Sequence, residues 1–177
     1  MNLQKNKNSS ELKSGASREK QDRLKSNKGS NSRRAQRIYA FQVLYSMNFS
    51  DQSMEHLERT YDNFPDPSKT PLPKESSFAW ELIQGVGQNY KELDQIIASY
   101  SRNWKIERIA KIELTILRLA LYEMIKREDI PLKVAINEAV ELSKLFGDEN
   151  SRNFVNGILD AVARDVENGK FGICKGF

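Results

Sequence analysis

Residues 106–162 read IERIAKIELTILRLALYEMIKREDIPLKVAINEAVELSKLFGDENSRNFVNGILDAV, and their apolar spacing divides them into three consecutive helices. Over residues 109–125, at about 100° per residue, Ile109, Ile112, Ile116 and Leu119 fall on one side. Leu114, Leu117, Leu121 and Ile125 fall on another, and only Lys111, Thr115, Arg118 and Tyr122 make a polar strip. So wide an apolar surface marks a helix with neighbours on several sides. The second helix begins near Pro131, whose missing N–H does no harm in a first turn. Val134, Ile136, Ala139, Val140, Leu142 and Phe146 give it a broad apolar face, and Gly147 is placed to end it. Asn150 or Ser151 can cap the third helix, with Asp148 and Glu149 favourable near its positive end. Phe154, Val155, Ile158, Leu159 and Val162 form its stripe.

Upstream, a helical pattern runs from about residue 75 to 100 through Phe78, Leu82, Ile83, Val86, Leu93, Ile96, Ile97 and Tyr100. The string GVGQNY within it is no dinucleotide loop, because no strand precedes it and no third glycine follows. Gly85 and Gly87 therefore read as packing or bending positions, and Trp104 as a plug in the next connection. Pro65, Pro67, Pro71 and Pro73 make an extended loop that divides the chain. A short helix around residues 53–61 comes before it, with His56 on its surface. From Ser32, SRRAQRIYAFQVLYSMNF reads as a capped amphipathic helix that turns Ile38, Phe41, Val43, Leu44 and Met47 inward. Residues 1–31 are rich in Ser, Asn and Lys and too poor in apolar side chains to offset ordering entropy, so they read as a disordered basic tail. Residues 167–177, with Gly169, Gly172 and Gly176, read as a frayed tail. No strand pattern appears. The expected fold is all-α, two small helical-bundle subdomains over about 32–64 and 75–166.

The net charge of +4 conceals a division. Residues 1–37 hold 11 Lys/Arg against 3 Asp/Glu, a net of +8, whereas the rest hold 17 against 21, a net of −4. The basic end points to an anionic partner, nucleic acid before membrane because it has little apolar content to insert. The alternative is a solvated tail. Arg33, Arg34 and Arg37, spaced i, i+1 and i+4, project to one side of the first helix. Three cations at a helix N-terminus oppose the macrodipole at about 0.3–1 kcal/mol each. Two readings compete: a bound polyanion, since guanidinium forks match phosphate oxygens, or pairing with carboxylates of the acidic body.

With one cysteine (Cys174) and one histidine (His56), no disulfide framework or Cys/His metal cluster can be built. No catalytic Ser/His/Asp or Cys/His set and no phosphate loop emerges, so neither enzymatic chemistry nor a cofactor is expected. No run reaches the 18 or so apolar residues of a membrane span, and no signal-peptide core is present, so a cytoplasmic soluble protein is expected. Glu113 is anomalous. It lies between Ile116 and Leu117 in angle, inside an apolar sector, where an unpaired carboxylate is costly. Either it pairs within the protein, with an Arg or Tyr, or a partner covers that face.

Four segments, SRRAQRIYAFQVLYS, ILRLALYEM, PLKVAINEAVELSKLFG and SRNFVNGILD, closely resemble the NusB family of bacterial transcription antitermination factors, over residues 32–166. The resemblance implies two small helical subdomains. It also implies binding to single-stranded boxA RNA of ribosomal RNA leader transcripts together with NusE, a ribosomal protein, in a complex with RNA polymerase. The family's arginine-rich helix start corresponds to Arg33, Arg34 and Arg37, with Ala35 at one commonly basic position. Its second RNA-contacting region corresponds to Phe146, Gly147, Asn150, Ser151, Arg152 and Phe154, with Tyr100 a further candidate. Arg would hold backbone, aromatics stack on unpaired bases, and Asn and Ser read base edges; Phe146 and Phe154 are equally readable as core. The NusE-facing surface corresponds to Tyr45, Glu113, Arg118 and Tyr122. Whether the free chain forms a homodimer is left open. Two alternatives remain: an RNA-binding domain like those of some RNA cytosine methyltransferases, which would need a following α/β domain, and a protein-only helical adaptor.

Overall fold

In the computed structural model, which describes residues 32–50, 53–64, 73–101, 105–173 and 175–176, the central helix is buried almost all round. It spans Lys111–Lys126 (α4 here), and every side chain from Glu113 to Ile125 except Tyr122 is withdrawn from solvent. Burying each large aliphatic side chain contributes about 1.5–3 kcal/mol, so Leu114, Ile116, Leu117, Leu119 and Leu121 make this helix the hub. The polar strip is not a solvated face. Only Lys111 is exposed; Thr115 Oγ1 donates to its carbonyl at 2.7 Å, and Arg118 clamps Asp94 with two bonds of 2.7 Å.

Five more helices surround it among the described residues: α1 (Arg33–Ser46), α2 (Met54–Asn63), α3 (Phe78–Tyr100), α5 (Leu132–Phe146) and α6 (Ser151–Glu167), with single 3₁₀ turns at Lys74–Ser76 and Ile106–Arg108. Serine hydroxyls start three of them. Ser32, Ser53 and Ser77 accept the N–H of Ala35, His56 and Trp80, each satisfying an orphan donor of the first turn. Helices α1 and α2 pack on α3, and α4, α5 and α6 pack on one another; α3 also lies along α4 and α6, so it belongs to both bundles. The proline-rich loop, mostly outside the described residues, therefore does not separate two cores. Tyr61, before it, donates to Ser77 Oγ after it at 2.8 Å and meets the Trp80 ring edge-on at 5.2 Å. One continuous set of buried side chains runs through all six helices.

The two α3 glycines serve packing. A Cβ on Gly85 would lie 2.0 Å from Tyr122 Cζ, and one on Gly87 2.6 Å from Leu57 Cδ1. Val134, expected on the apolar face of α5, is 40 % exposed. The described C-terminal residues are not frayed. Gly169, at φ 75°, gives α6 a left-handed C-terminal turn, with its N–H on Val166 O and that of Lys170 on Asp165 O. Phe171 and Ile173 then pack on the core, and Lys175 Nζ donates to the carbonyls of Glu123, Arg127 and Ile130 at the end of α4. The basic tail of residues 1–31 and Trp104 lie outside the described residues, as does Cys174. His56 Nε2 sits among Ser50, Thr60 and Ser46 hydroxyls at 2.8, 3.2 and 3.5 Å, so it is half-buried rather than simply surface.

Candidate nucleic-acid interface

Two features stand out, an arginine edge and a pinned turn. At the edge, the first turn of α1 meets the α4–α5 connection. Arg33 Nη1 lies 3.3 Å from Asp129 Oδ2, and Arg34 forks onto Glu138, with Nη2 at 2.6 Å and Nε at 3.2 Å. Arg37 is buried. Its Nε donates to Glu123 Oε1 at 2.7 Å, and Glu138 Oε2 lies 3.9 Å from its Nη1. Arg127 adds bonds of 2.9 and 3.2 Å to Asp129 and one to Glu81. The Phe78 ring is flanked by the Arg33, Arg37 and Arg127 guanidinium carbons at 4.5, 5.1 and 5.5 Å from its centroid.

This geometry answers the helix-dipole puzzle from within the fold. Carboxylates from α3, α4, α5 and the α4–α5 connection supply the negative charge that the start of α1 lacks, and the local cluster of four arginines and four acids is balanced. Pairing shows in the protonation equilibria. Hydrogen bonds from Arg127, with Arg33 adding to them, hold the Asp129 carboxyl down at about 2, and the bond to Glu138 raises the Arg34 guanidinium. Burial pushes the Glu123 carboxyl up, opposed by Arg37. The expectation that Arg37 faces an outside ligand is corrected: it is an internal strut, and only Arg33 and Arg34 are exposed.

The turn between α5 and α6 is fixed by a reciprocal cap. Asp148 Oδ1 accepts the N–H of Ser151 at 2.9 Å and of Asn150 at 2.8 Å, while Ser151 Oγ accepts the Asp148 N–H at 2.9 Å. This is a capping box with Asp148 in the leading position, and those N–H donors hold its carboxyl below the ordinary range. Asn150 occupies the cap position without using its side chain, so the cap falls to a residue two positions earlier than expected. Ser151 Oγ also donates to Glu113 Oε1. Glu113 thus pairs within the protein through a serine, not an Arg or Tyr; its second oxygen is buried and has no hydrogen-bond partner among the described residues. Gly147 is needed for close approach, since a Cβ there would stand 2.5 Å from the Ser151 side chain and 2.7 Å from Ser143 O.

Around this turn Asn150 and Arg152 are exposed, and Phe154 is half-buried against the core. Phe146 stacks on Phe41 with centroids 4.3 Å apart and, with Tyr45, Phe49, Phe64 and Ile112, lines an open apolar pocket of about 560 Å³. Tyr100 is elsewhere. Its hydroxyl donates to Asp165, under the Lys170 ammonium, and burial with the Asp165 contact raises its phenol. Asp165 is fourteen residues along α6 from Ser151, about 21 Å at 1.5 Å per residue, so Tyr100 does not join the turn.

The side chains expected to face a protein partner are also divided. Tyr45 is half-buried at the pocket; Tyr122 leans over Gly85; Arg118 is buried with Asp94, and its Nη1 lies 3.4 Å from Asn48 Oδ1. Glu113 and Arg118 are therefore corrected from outward-facing to internally paired. Reasoning from sequence missed Phe78, Glu123, Asp129 and Glu138 as site residues, and took Asp148 for a favourable charge rather than the cap. Only Asp148 carried a local signal, the D-x-x-S spacing to Ser151.

Fold and site define a helical module whose distinctive chemistry lies on its surface, in paired charges, a capped turn and an aromatic pocket. The NusB family model matches residues 34–164. The chain belongs to the NusB family, whose matched relatives are transcription antitermination proteins. It is 56 % identical over 145 residues to the transcription antitermination protein NusB of Oleidesulfovibrio alaskensis, covering 80 % of this chain and 94 % of that one. It is 48 % identical over 154 residues to NusB of Desulfovibrio desulfuricans, covering 83 % and 94 %. Among solved structures, NusB of T. maritima matches with a TM-score of 0.65 and 34 % identity over 76 % of this chain and 92 % of that one. A structure described as the antitermination factors NusB and NusE in complex with double-stranded RNA matches with a TM-score of 0.62 and 25 % identity, over 73 % and 94 %. No helix among the described residues is long and apolar enough to cross a membrane.

Proposed function

We propose that this chain acts in the cytoplasm as an antitermination factor that binds single-stranded boxA RNA of ribosomal RNA operon leaders together with NusE, in a complex with RNA polymerase. The observation that carries the reading is its likeness, in sequence and fold, to a NusB solved with NusE and RNA. The chemistry agrees. Arg33 and Arg34 are exposed cations at a helix start, where phosphate is favoured. A pinned turn offers the side-chain amide of Asn150, which makes no cap bond, beside Arg152, with the half-buried Phe146 and Phe154 on either side of it in sequence. Arg37 and Ser151 act by positioning, through Glu123 and Asp148. Tyr45, at the rim of the apolar pocket, is the side chain best placed for NusE, with Tyr122 secondary.

A second reading, duplex RNA as the ligand, is favoured by the double-stranded RNA of that solved complex. One titration tests both. Labelled boxA single strand, the same sequence as a duplex, and a scrambled strand are titrated with the full chain, with and without NusE. The proposal expects the boxA strand to bind tightest, more tightly with NusE, and with strong salt dependence. Equal affinity for boxA and scrambled strands would reject it, and preference for the duplex would install the second reading.

A further inference from the structure

The arginine edge is charge-balanced, yet its two exposed pairs are built differently. Asp129 is held by Arg127 at 2.9 and 3.2 Å as well as by Arg33 at 3.3 Å, so it stays satisfied if Arg33 leaves. Among the described residues Glu138 has no such second clamp. Apart from Arg34 at 2.6 Å, its cation is Arg37 at 3.9 Å, which is committed to Glu123 at 2.7 Å. The Arg34 side chain is 46 % exposed and that of Glu138 only 15 %, so the arginine can swing outward while the acid stays. Any phosphate that takes Arg34 must break this fork and then sit near a carboxylate with weakened compensation.

We propose that Glu138 is a specificity-determining residue of the edge: it holds Arg34 in reserve and competes with phosphate for it. A single phosphate exchanges one anion for another at Arg34 and gains little, because it must break one guanidinium fork to form another. A strand that brings several phosphates at once engages Arg33 and Arg34 together and releases its own counterions, which one phosphate cannot do. The competition therefore favours polyanions over monoanions, at the cost of some affinity for every strand. The inference rests on the RNA-binding reading above.

The test uses the full chain with labelled boxA single strand over a salt series, comparing wild type, Glu138→Gln, Arg34→Gln and the double variant. Glu138→Gln should bind roughly threefold tighter at low salt. Its plot of log affinity against log salt should steepen by up to about 0.7, one phosphate contact's worth. The double variant should show no gain over Arg34→Gln. Excess inorganic phosphate should displace RNA more readily from Glu138→Gln than from wild type. Glu138→Asp, one methylene shorter, withdraws from Arg34 while keeping a charge near Arg37; it replaces Gln if that variant melts early, and it too should bind tighter than wild type. If wild type binds RNA but neither variant gains affinity, or the gain persists without Arg34, the inference is overturned while the function stands. If wild type binds no RNA, both fall.

Discussion

Replacing Arg37 by Gln separates a structural arginine from a ligand-binding one. The substitution strands Glu123, whose side chain is 2 % exposed and whose Oε1 accepts from Arg37 at 2.7 Å. Breaking one side of a buried ion pair costs about 3–5 kcal/mol, because the remaining charge stays desolvated. For a chain of this size each kcal/mol moves the melting midpoint by about 2–4 °C, so a fall of roughly 6–20 °C is expected. Adding Glu123→Gln removes the stranded charge and should return a large part of the loss. Arg34→Gln, which breaks an exposed pair, should change stability by no more than about 1 kcal/mol. Burial already pushes the Glu123 carboxyl up, and losing Arg37 pushes it further. Stability contributed by such a group is complete below its unfolded value and lost as pH rises through the folded one. The Arg37→Gln deficit should therefore shrink toward pH 5. Circular-dichroism melts of the four proteins at pH 5 and 8 decide it. An Arg37→Gln chain that melts with wild type would refute the assignment of Arg37 as a strut.

Other expectations follow from the same geometry. Gly85→Ala places a Cβ 2.0 Å from Tyr122 Cζ and should cost about 1–3 kcal/mol by overpacking; denaturant titration should show Tyr122→Leu restoring part of it. Ser151→Ala removes the acceptor of the Asp148 N–H and the donor to Glu113. It should cost about 1–3 kcal/mol and speed hydrogen exchange over 147–151, while leaving that of α3 unchanged. Asp129 and Asp148 both titrate below the ordinary 3.8, Asp129 at about 2. Their stabilisation is present above the unfolded value and lost as pH falls through the folded one. Urea midpoints between pH 5 and 2 should therefore decline, less steeply in Asp129→Asn than in wild type.

The helices were legible because their signals are local. Apolar spacing located α1 and α3 to α6 to within a few residues of their observed ends, and Ser32 marked the start of α1. Charge partnership was not legible. Arg34 and Glu138 are 104 residues apart, Arg37 and Glu123 are 86 apart, and no periodicity in one sequence links them. A helix start crowded with arginine reads the same whether its counter-charge comes from the fold or from a ligand; here the fold supplies it. The same distance limit hid Ser151 from Glu113, 38 residues away. An intervening glycine, Gly147, was correctly read as a stop, but its deeper role, admitting the Ser151 side chain, exists only once α5 and α6 are folded together. The C-terminal residues misled for a related reason: three glycines suggest fraying, whereas positive φ at Gly169 and Gly172 turns the chain back to the core.

Where RNA sits on the chain is read most directly by amide hydrogen exchange of the full chain with and without boxA single strand and NusE. Added RNA should protect the start of α1, residues 33–37, and the 147–154 turn together, and further addition of NusE should protect the Tyr45–Phe49 rim of the pocket. Protection by RNA confined to other helices, with both of those segments unchanged, would contradict the proposed interface.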